Sequence, residues 1–393
     1  MTMRLTKEEL EKVKQRYGVD ELWSYSKFST WLTSRYEWFL SYVKHVQPAA
    51  EVTSAYGHIG TIAHDILEKL YDGDIDYNNM AEEFEDQFLT NIELLDLKFD
   101  RTDEIKNTSI REKYFENVMD FFKNYKKLPF DMKNEQFLTV EVAPKIVFQG
   151  YCDAYYIDNN DNYVIVDYKT SSLYQGKAIE EHSYQLVLYS EALRQMGVPQ
   201  EKIKCCWNFL KYVSVTYQQV NGKWANSIVE RRDIGQKLSA RVKTWLKKLG
   251  YGEDLEMYLS EMAKNNSIDC LPEDVKEKFH IEDCYVYIED IWGIYDKLKN
   301  LIVETITDIN DRVSEYEITG DERLFWDSYE QCKKESYYFN NLCDYSISQL
   351  KPYSEWLESL QQEKESNIFK VNKIKKAEED DDDLSWLDEI VGE

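Results

Sequence analysis

The chain has 393 residues, 48 basic and 74 acidic, for a formal net charge of −26, with 43% of residues hydrophobic and 14% aromatic. That balance excludes a disordered or fibrous chain, and no apolar run approaches the about 18 residues of a membrane span. Charged sequence follows Met1–Leu5 where a signal-peptide core would stand, so a soluble, cytoplasmic protein with no membrane partner is expected.

Up to about residue 130 the patterning is helical. Ser24-Tyr25-Ser26 offers an N-cap, and Phe28, Trp31, Leu32, Tyr36, Phe39 and Val43 recur at threes and fours, as one helix face requires. A second helix follows Gly60, with Ile59, Ile62, Ala63, Ile66, Leu67 and Leu70 as its stripe, and further helices cover 80–97 and 105–125. From about Phe137 the period changes to two. Residues 137–148, 150–157 and 163–169 read as strands, the last two joined by the polar turn Asp158-Asn159-Asn160-Asp161-Asn162. A helix over about 179–196 is stopped by Gly197 and Pro199, and 202–218 is extended again, so the order is β-β-β-α-β. After Asn221-Gly222 helix returns, most clearly over 291–316. Four segments are expected: a helical N-terminal region (1–130), an α/β core (131–220), a helical C-terminal region (221–376) and an acidic, disordered tail (377–393).

Charge is unevenly spread. Residues 378–393 hold nine acids and no base, whereas Lys237, Arg241, Lys243, Lys247 and Lys248 form an acid-free basic stretch, and Lys370, Lys373, Lys375 and Lys376 a second. The net acidity therefore does not exclude a nucleic-acid partner, although either stretch also reads as a plain solvated helix face. The seven cysteines (Cys152, Cys205, Cys206, Cys270, Cys284, Cys332 and Cys343) are odd in number and contain no CxxC pair, which points to reduced thiols.

The hairpin turn fixes the acids beside it. If 158–162 form a symmetric loop, Ile157 faces Tyr163 and Asp153 falls opposite Asp167, with Cβ atoms about 4.5–5.5 Å apart, where like charges repel. Lys169 shares the face of Asp167 because strand side chains alternate. One reading is a surface cluster in which the lysine neutralises an acid. The other is a hard-cation site for Mg²⁺ or Mn²⁺, favoured because the apolar run Tyr163-Val164-Ile165-Val166 leads straight into the charges.

Gly150-Tyr151-Cys152-Asp153 followed by Val166-Asp167-Tyr168-Lys169-Thr170 resembles the GxxD … DYKT core of the RecB-like branch of the PD-(D/E)xK nucleases. Two further motifs of that branch recur in order: Gly60-Thr61-Ile62-Ala63-His64 upstream and Gln185-Leu186-Val187-Leu188-Tyr189 downstream. The resemblance covers about 24–218. It implies a restriction-endonuclease-like core, a mixed β-β-β-α-β sheet, set between large helical regions. It further implies a metal-dependent DNA nuclease, an exonuclease by preference, acting in DNA processing, recombination or repair. The implied roles are catalysis for Asp153, Asp167 and Lys169, metal ligation for His64, Asp153 and Asp167, and a supporting part in substrate binding for Gln185 and Tyr189. Cleavage of RNA, or nucleic-acid or partner binding without cleavage, stands as the alternative.

Each residue also has a local reading. His64 sits about 120° from the centre of its helix's apolar stripe, so it is a poor core histidine, and an idle exposed one is the plainer alternative. Gln185 and Tyr189, spaced i, i+4, share a helix face that packing against a sheet can bury without function. Glu141 is a candidate outer partner of the metal site. Iron–sulfur members of the family carry a cysteine on the first helix, where this chain has Ser34, and only Cys332 and Cys343 remain downstream, so no cluster is expected. No GxxxxGK[ST] loop occurs, which leaves any helicase to a partner. The tail, an acidic run followed by Leu384-Ser385-Trp386-Leu387, reads either as a hook for a sliding clamp or single-strand-binding protein or as a solubilising end.

Overall fold

This computed structural model describes residues 4–48 and 55–326, together with seven isolated positions between 343 and 362. Cys332, the second basic stretch and the acidic tail lie outside the described residues. The chain divides into two compact units, residues 1–29 with 54–311 and residues 30–53 with 312–393; the segment 131–220 lies wholly in the first.

The region expected as one helix over 28–43 is two, α2 (Tyr25–Thr33) and α3 (Arg35–Tyr42), after a short α1 (Lys7–Tyr17) and strand β1 (Trp23–Ser24). The break is chemical. Buried Ser34 takes an extended backbone and its hydroxyl accepts the Glu37 N–H at 3.3 Å, capping α3. In the second unit Phe39 stacks on Phe325 with centroids 4.4 Å apart, and Trp31 meets Trp38 edge-on.

In the first unit α4 (Ala55–Asp72) begins before Gly60, which is interior to it, and every residue of the expected stripe is buried. That stripe packs on α5 (Met80–Leu94), α6 (Glu104–Asn124) and the sheet residues Ala154, Tyr156, Val164, Val166 and Tyr168. Strands β2 (Lys133–Ala143), β3 (Ile146–Ile157) and β4 (Tyr163–Lys169) follow, then α7 (Lys177–Gln195) and β5 (Ile203–Gln218), the mixed α/β order expected. The boundary drawn at 148 is corrected: the chain turns at Pro144-Lys145, with Lys145 at φ +66°, so 146–148 belong to β3. Both arms of this hairpin alternate, so the period ran through the turn, and Pro144 was the neglected signal.

Beyond residue 221 the chain is not helical throughout. Asn221-Gly222 closes a hairpin, with Gly222 at φ +85° and the Gln219 N–H bonded to the Lys223 carbonyl at 2.8 Å, and β6 (Trp224–Glu230) pairs antiparallel with β5. Helices α8 (Ile234–Lys248), α9 (Leu255–Asn265) and α10 (Glu273–Lys276) precede β7 (Phe279–Tyr287), and α11 (Ile291–Thr319) follows it. Strand β7 was hidden because only Phe279 and Cys284 of it are buried and its acids read as helix surface. The sheet has seven strands in the order β1-β3-β4-β5-β6, with β2 on β3 and β7 on β5; β4 and β5 are parallel, β3 and β4 antiparallel.

Strand β5 serves two cores. Its first half belongs to the core of α4–α6, while Val213 and Val215 join Val229 and the buried faces of α8 and α9 in a second. Between them the pairing with β7 shifts register, from Asn208↔Tyr285 to Val213↔Asp283. Buried Arg231 fastens this bulge, donating Nε–H to the Leu210 carbonyl at 2.8 Å and pairing with Asp283. No helix of the described residues is long and apolar enough to cross a membrane.

Candidate active site

The turn between β3 and β4 is symmetric because Asp158 organises it: its carboxylate accepts the N–H groups of Asn160 (2.8 Å) and Asn162 (3.0 Å). Ile157 then pairs with Tyr163 and Ala154 with Val166, the register anticipated, and Asp153 and Asp167 come together one step beyond the end of that ladder. From α4, His64 reaches the same point. One ligand atom each from His64, Asp153 and Asp167 lies within 4.8 Å of the others. Lys169 Nζ stands 2.8 Å from Asp167 Oδ2.

The histidine's tautomer follows from its neighbours. Nε2 lies 2.6 Å from the Tyr168 carbonyl, which only accepts, so Nε2–H donates there and Nδ1 turns its lone pair toward Asp153 Oδ2 at 3.4 Å. Burial holds the imidazole pKa below its ordinary value, against the pull of Asp167, and this favours the neutral ligand form.

The two carboxyls differ. Burial and then the Asp167 charge push Asp153 well above the usual carboxylate range. Burial works the same way on Asp167, but Lys169 and a hydrogen bond from Asp153 outweigh it and hold Asp167 below that range. The two acids are thus pushed in opposite directions, as expected of opposed carboxyls. Asp167 and Asp153 in turn overcome the burial of Lys169 and raise its pKa, so it is an ammonium. Asp153 Oδ2 is buried and has no hydrogen-bond partner. An orphaned carboxylate oxygen beside a second carboxylate and an imidazole lone pair is a donor set that fits Mg²⁺ or Mn²⁺.

The site opens on a cleft of about 780 Å³, whose wall includes Thr61, Asp65, Glu68, Glu135, Gln185 and Tyr189. Gln185 and Tyr189 act on β3 as well as on the cleft. Tyr189 Oη–H donates to the Tyr151 carbonyl at 2.7 Å, and Gln185 Nε2–H donates to Tyr189 Oη at 3.0 Å. Gly150 makes this possible, because a Cβ there would lie 2.8 Å from Tyr189 Oη.

Glu141 is corrected: it is exposed, its N–H and C=O are bonded by the Gln195 side chain at 3.1 and 3.0 Å, and it is not part of the cleft wall. The acid from this strand that lines the cleft is Glu135, at φ +46°, whose pKa is raised by burial and by Glu68. Glu68 was legible, since it shares the helix face of His64 at i+4; Glu135 was not, because its backbone departs from the strand period.

A family model for the PD-(D/E)XK nuclease superfamily covers residues 22–274, from β1 to the start of α10. The chain belongs to the PD-(D/E)XK nuclease superfamily. A comparison with curated proteins finds no match. Nucleases of this superfamily typically use divalent metals, their fold implies a nucleic-acid substrate, and His64, Asp153 and Asp167 form a group that could hold a metal ion.

Proposed function

We propose that the chain is a Mg²⁺- or Mn²⁺-dependent deoxyribonuclease of the RecB-like branch, an exonuclease serving DNA processing, recombination or repair. One observation carries this reading: two carboxylate oxygens and an imidazole nitrogen within 4.8 Å of one another, one of the carboxyls having an orphaned buried oxygen, with an ammonium 2.8 Å from the other. The branch is supported by four motifs in order, and exonuclease action by the same resemblance. A helicase, sliding clamp or single-strand-binding protein as partner rests on the sequence of residues 378–393.

His64 Nδ1, Asp153 and Asp167 would hold the cation, which supplies Lewis acidity toward a phosphate oxygen and lowers the pKa of water. Asp167 fixes Lys169, whose ammonium orients the attacking water through a hydrogen bond and stabilises the negative charge that grows on the phosphorane oxygens. As its pKa is raised, Lys169 works as a charge rather than as a base. Tyr189 and Gln185 hold the β3 backbone that carries Asp153, and the free faces of both are available to the substrate backbone.

The test is cleavage of end-labelled single- and double-stranded DNA and RNA by wild type and Asp167→Ala, in Mg²⁺, Mn²⁺ and EDTA. DNA cleavage that needs metal and falls at least about a hundredfold in the variant is expected. Equal activity of variant and wild type would remove the site.

A further inference from the structure

A second charged surface lies in the same unit, on α8. Its apolar residues Ile234, Leu238, Val242, Trp245 and Leu246 are buried in the second core, and its outer face holds no acid from end to end. Lys237, Arg241 and Lys248 form one row along the helix and Lys243 and Lys247 another, with only Ala240 and Thr244 between. The two small residues floor a concavity of about 580 Å³ walled by Lys243, Lys247, Lys248 and Val220.

Two of these cations are held by neutral groups, and none is neutralised. Arg241 lies 4.2 Å over the Tyr217 ring, and Lys248 donates to the Val220 carbonyl at 3.1 Å while facing Trp245. Among the described residues none of the five pairs with an acid, in a chain whose net charge is −26 and whose Lys69, Lys106, Lys113 and Lys297 each meet a carboxylate. Five unneutralised charges on one helix face repel one another, and an anionic partner relieves that cost. The rows span about 16 Å, over which duplex DNA presents roughly ten phosphates. A lipid surface fits less well, since the apolar face that would enter it is already spent on the second core.

We propose that the outer face of α8 grips the phosphate backbone of duplex DNA, as a binding surface separate from the cleft; this rests on the nuclease reading above. The fold sets its reach. Lys169 pairs with Phe209 on β5, and Trp245 Nε1–H fastens α8 to the Gln218 carbonyl, at the far end of that strand, at 2.8 Å. The nine steps of strand from Phe209 to Gln218 span at most about 30 Å, roughly the length of nine base pairs, so a duplex that engages cleft and face together must be longer than either alone requires.

The test uses the full chain carrying Lys237→Gln, Lys243→Gln and Lys247→Gln, three exposed side chains outside the cleft. Affinity for a labelled duplex of about 30 base pairs and for one of about 8 is followed in EDTA as salt rises, alongside cleavage of both in Mg²⁺. On the long duplex the slope of log affinity against log salt should become shallower by about 3, with at least about tenfold weaker binding at moderate salt. The short duplex covers the face but cannot reach the cleft at the same time, so its affinity should weaken in the same way while its cleavage equals that of wild type. An unchanged slope on the long duplex overturns the proposal while leaving the nuclease reading intact if wild type still cuts. A wild type that neither binds nor cuts any nucleic acid overturns both. If the triple variant loses only binding to a peptide of residues 378–393, the face takes an acidic segment of the chain and the proposal falls.

Discussion

Asp153 is the residue at which the cluster works against the fold. Because its folded pKa is raised, the native chain holds a proton that the unfolded chain releases, so its contribution to stability falls as pH climbs above the ordinary carboxylate range. At neutral pH without metal, Asp153→Asn should therefore raise the melting temperature by a few degrees, and it should also abolish the rise that Mn²⁺ gives wild type. Differential scanning fluorimetry with and without EDTA checks both; a variant still stabilised by Mn²⁺ would place the cation elsewhere. Gly150 is constrained from the opposite side. In Gly150→Ala the new methyl must displace Tyr189 from the Tyr151 carbonyl, at a cost of about 1–3 kcal/mol by overpacking, and cleavage should fall with it. The acids and the lysine were legible because a symmetric turn and a period of two convert residue numbers into neighbours. The bond from His64 to the Tyr168 carbonyl was not, because it joins positions 104 apart that no local pattern relates.

At the scale of elements, β5 carries a cost in its middle. Burial, with the Lys113 ammonium, pushes Lys211 down to about 8, and its Nζ lies 3.9 Å over the Tyr114 ring. Below pH 8 the folded and unfolded chains both carry the proton and the penalty is complete. Between about 8 and 10.5 the folded chain releases the proton while the unfolded chain keeps it, so stability rises with pH by up to about 3 kcal/mol. Urea midpoints at pH 7 and 9.5 should therefore converge between wild type and Lys211→Met, with the variant more stable at pH 7. Helices α8 and α9 meet as closely as backbones allow, since a Cβ on Gly235 would lie 2.2 Å from the Met262 carbonyl oxygen. Gly235→Ala should cost about 3 kcal/mol and loosen the second core, read as a lower urea midpoint. Element by element, the stripe of α4 was readable because every one of its apolar residues is spent on one core. The hairpin β5–β6 was misread because Asn-Gly ends a helix and closes a hairpin with equal ease, and only the partner strand decides. The break at Ser34 was hidden because the apolar spacing continues across it.

On the scale of the whole molecule, the charge is distributed rather than uniform: a chain of net −26 keeps an acid-free face on α8. If the proposed cation site is filled, stability should depend on metal. Mn²⁺ at a hundred times its dissociation constant should add about 2.7 kcal/mol to the unit holding His64, and EDTA should remove it. The β-β-β-α-β order followed from period and length, the mixed sheet was implied by the family resemblance, and the seventh strand required tertiary pairing to exist.

The anchor of His64 has one more effect. The carbonyl it holds belongs to Tyr168, between Asp167 and Lys169, so acid, ammonium and the imidazole's tether ride on three consecutive residues of a single strand. A slip of that strand by one position would turn all of them away at once. Damage to the hairpin should thus divide a preparation into fully competent molecules and dead ones, with no half-working class, and titration of active sites would count fewer centres, each turning over at the undiminished rate.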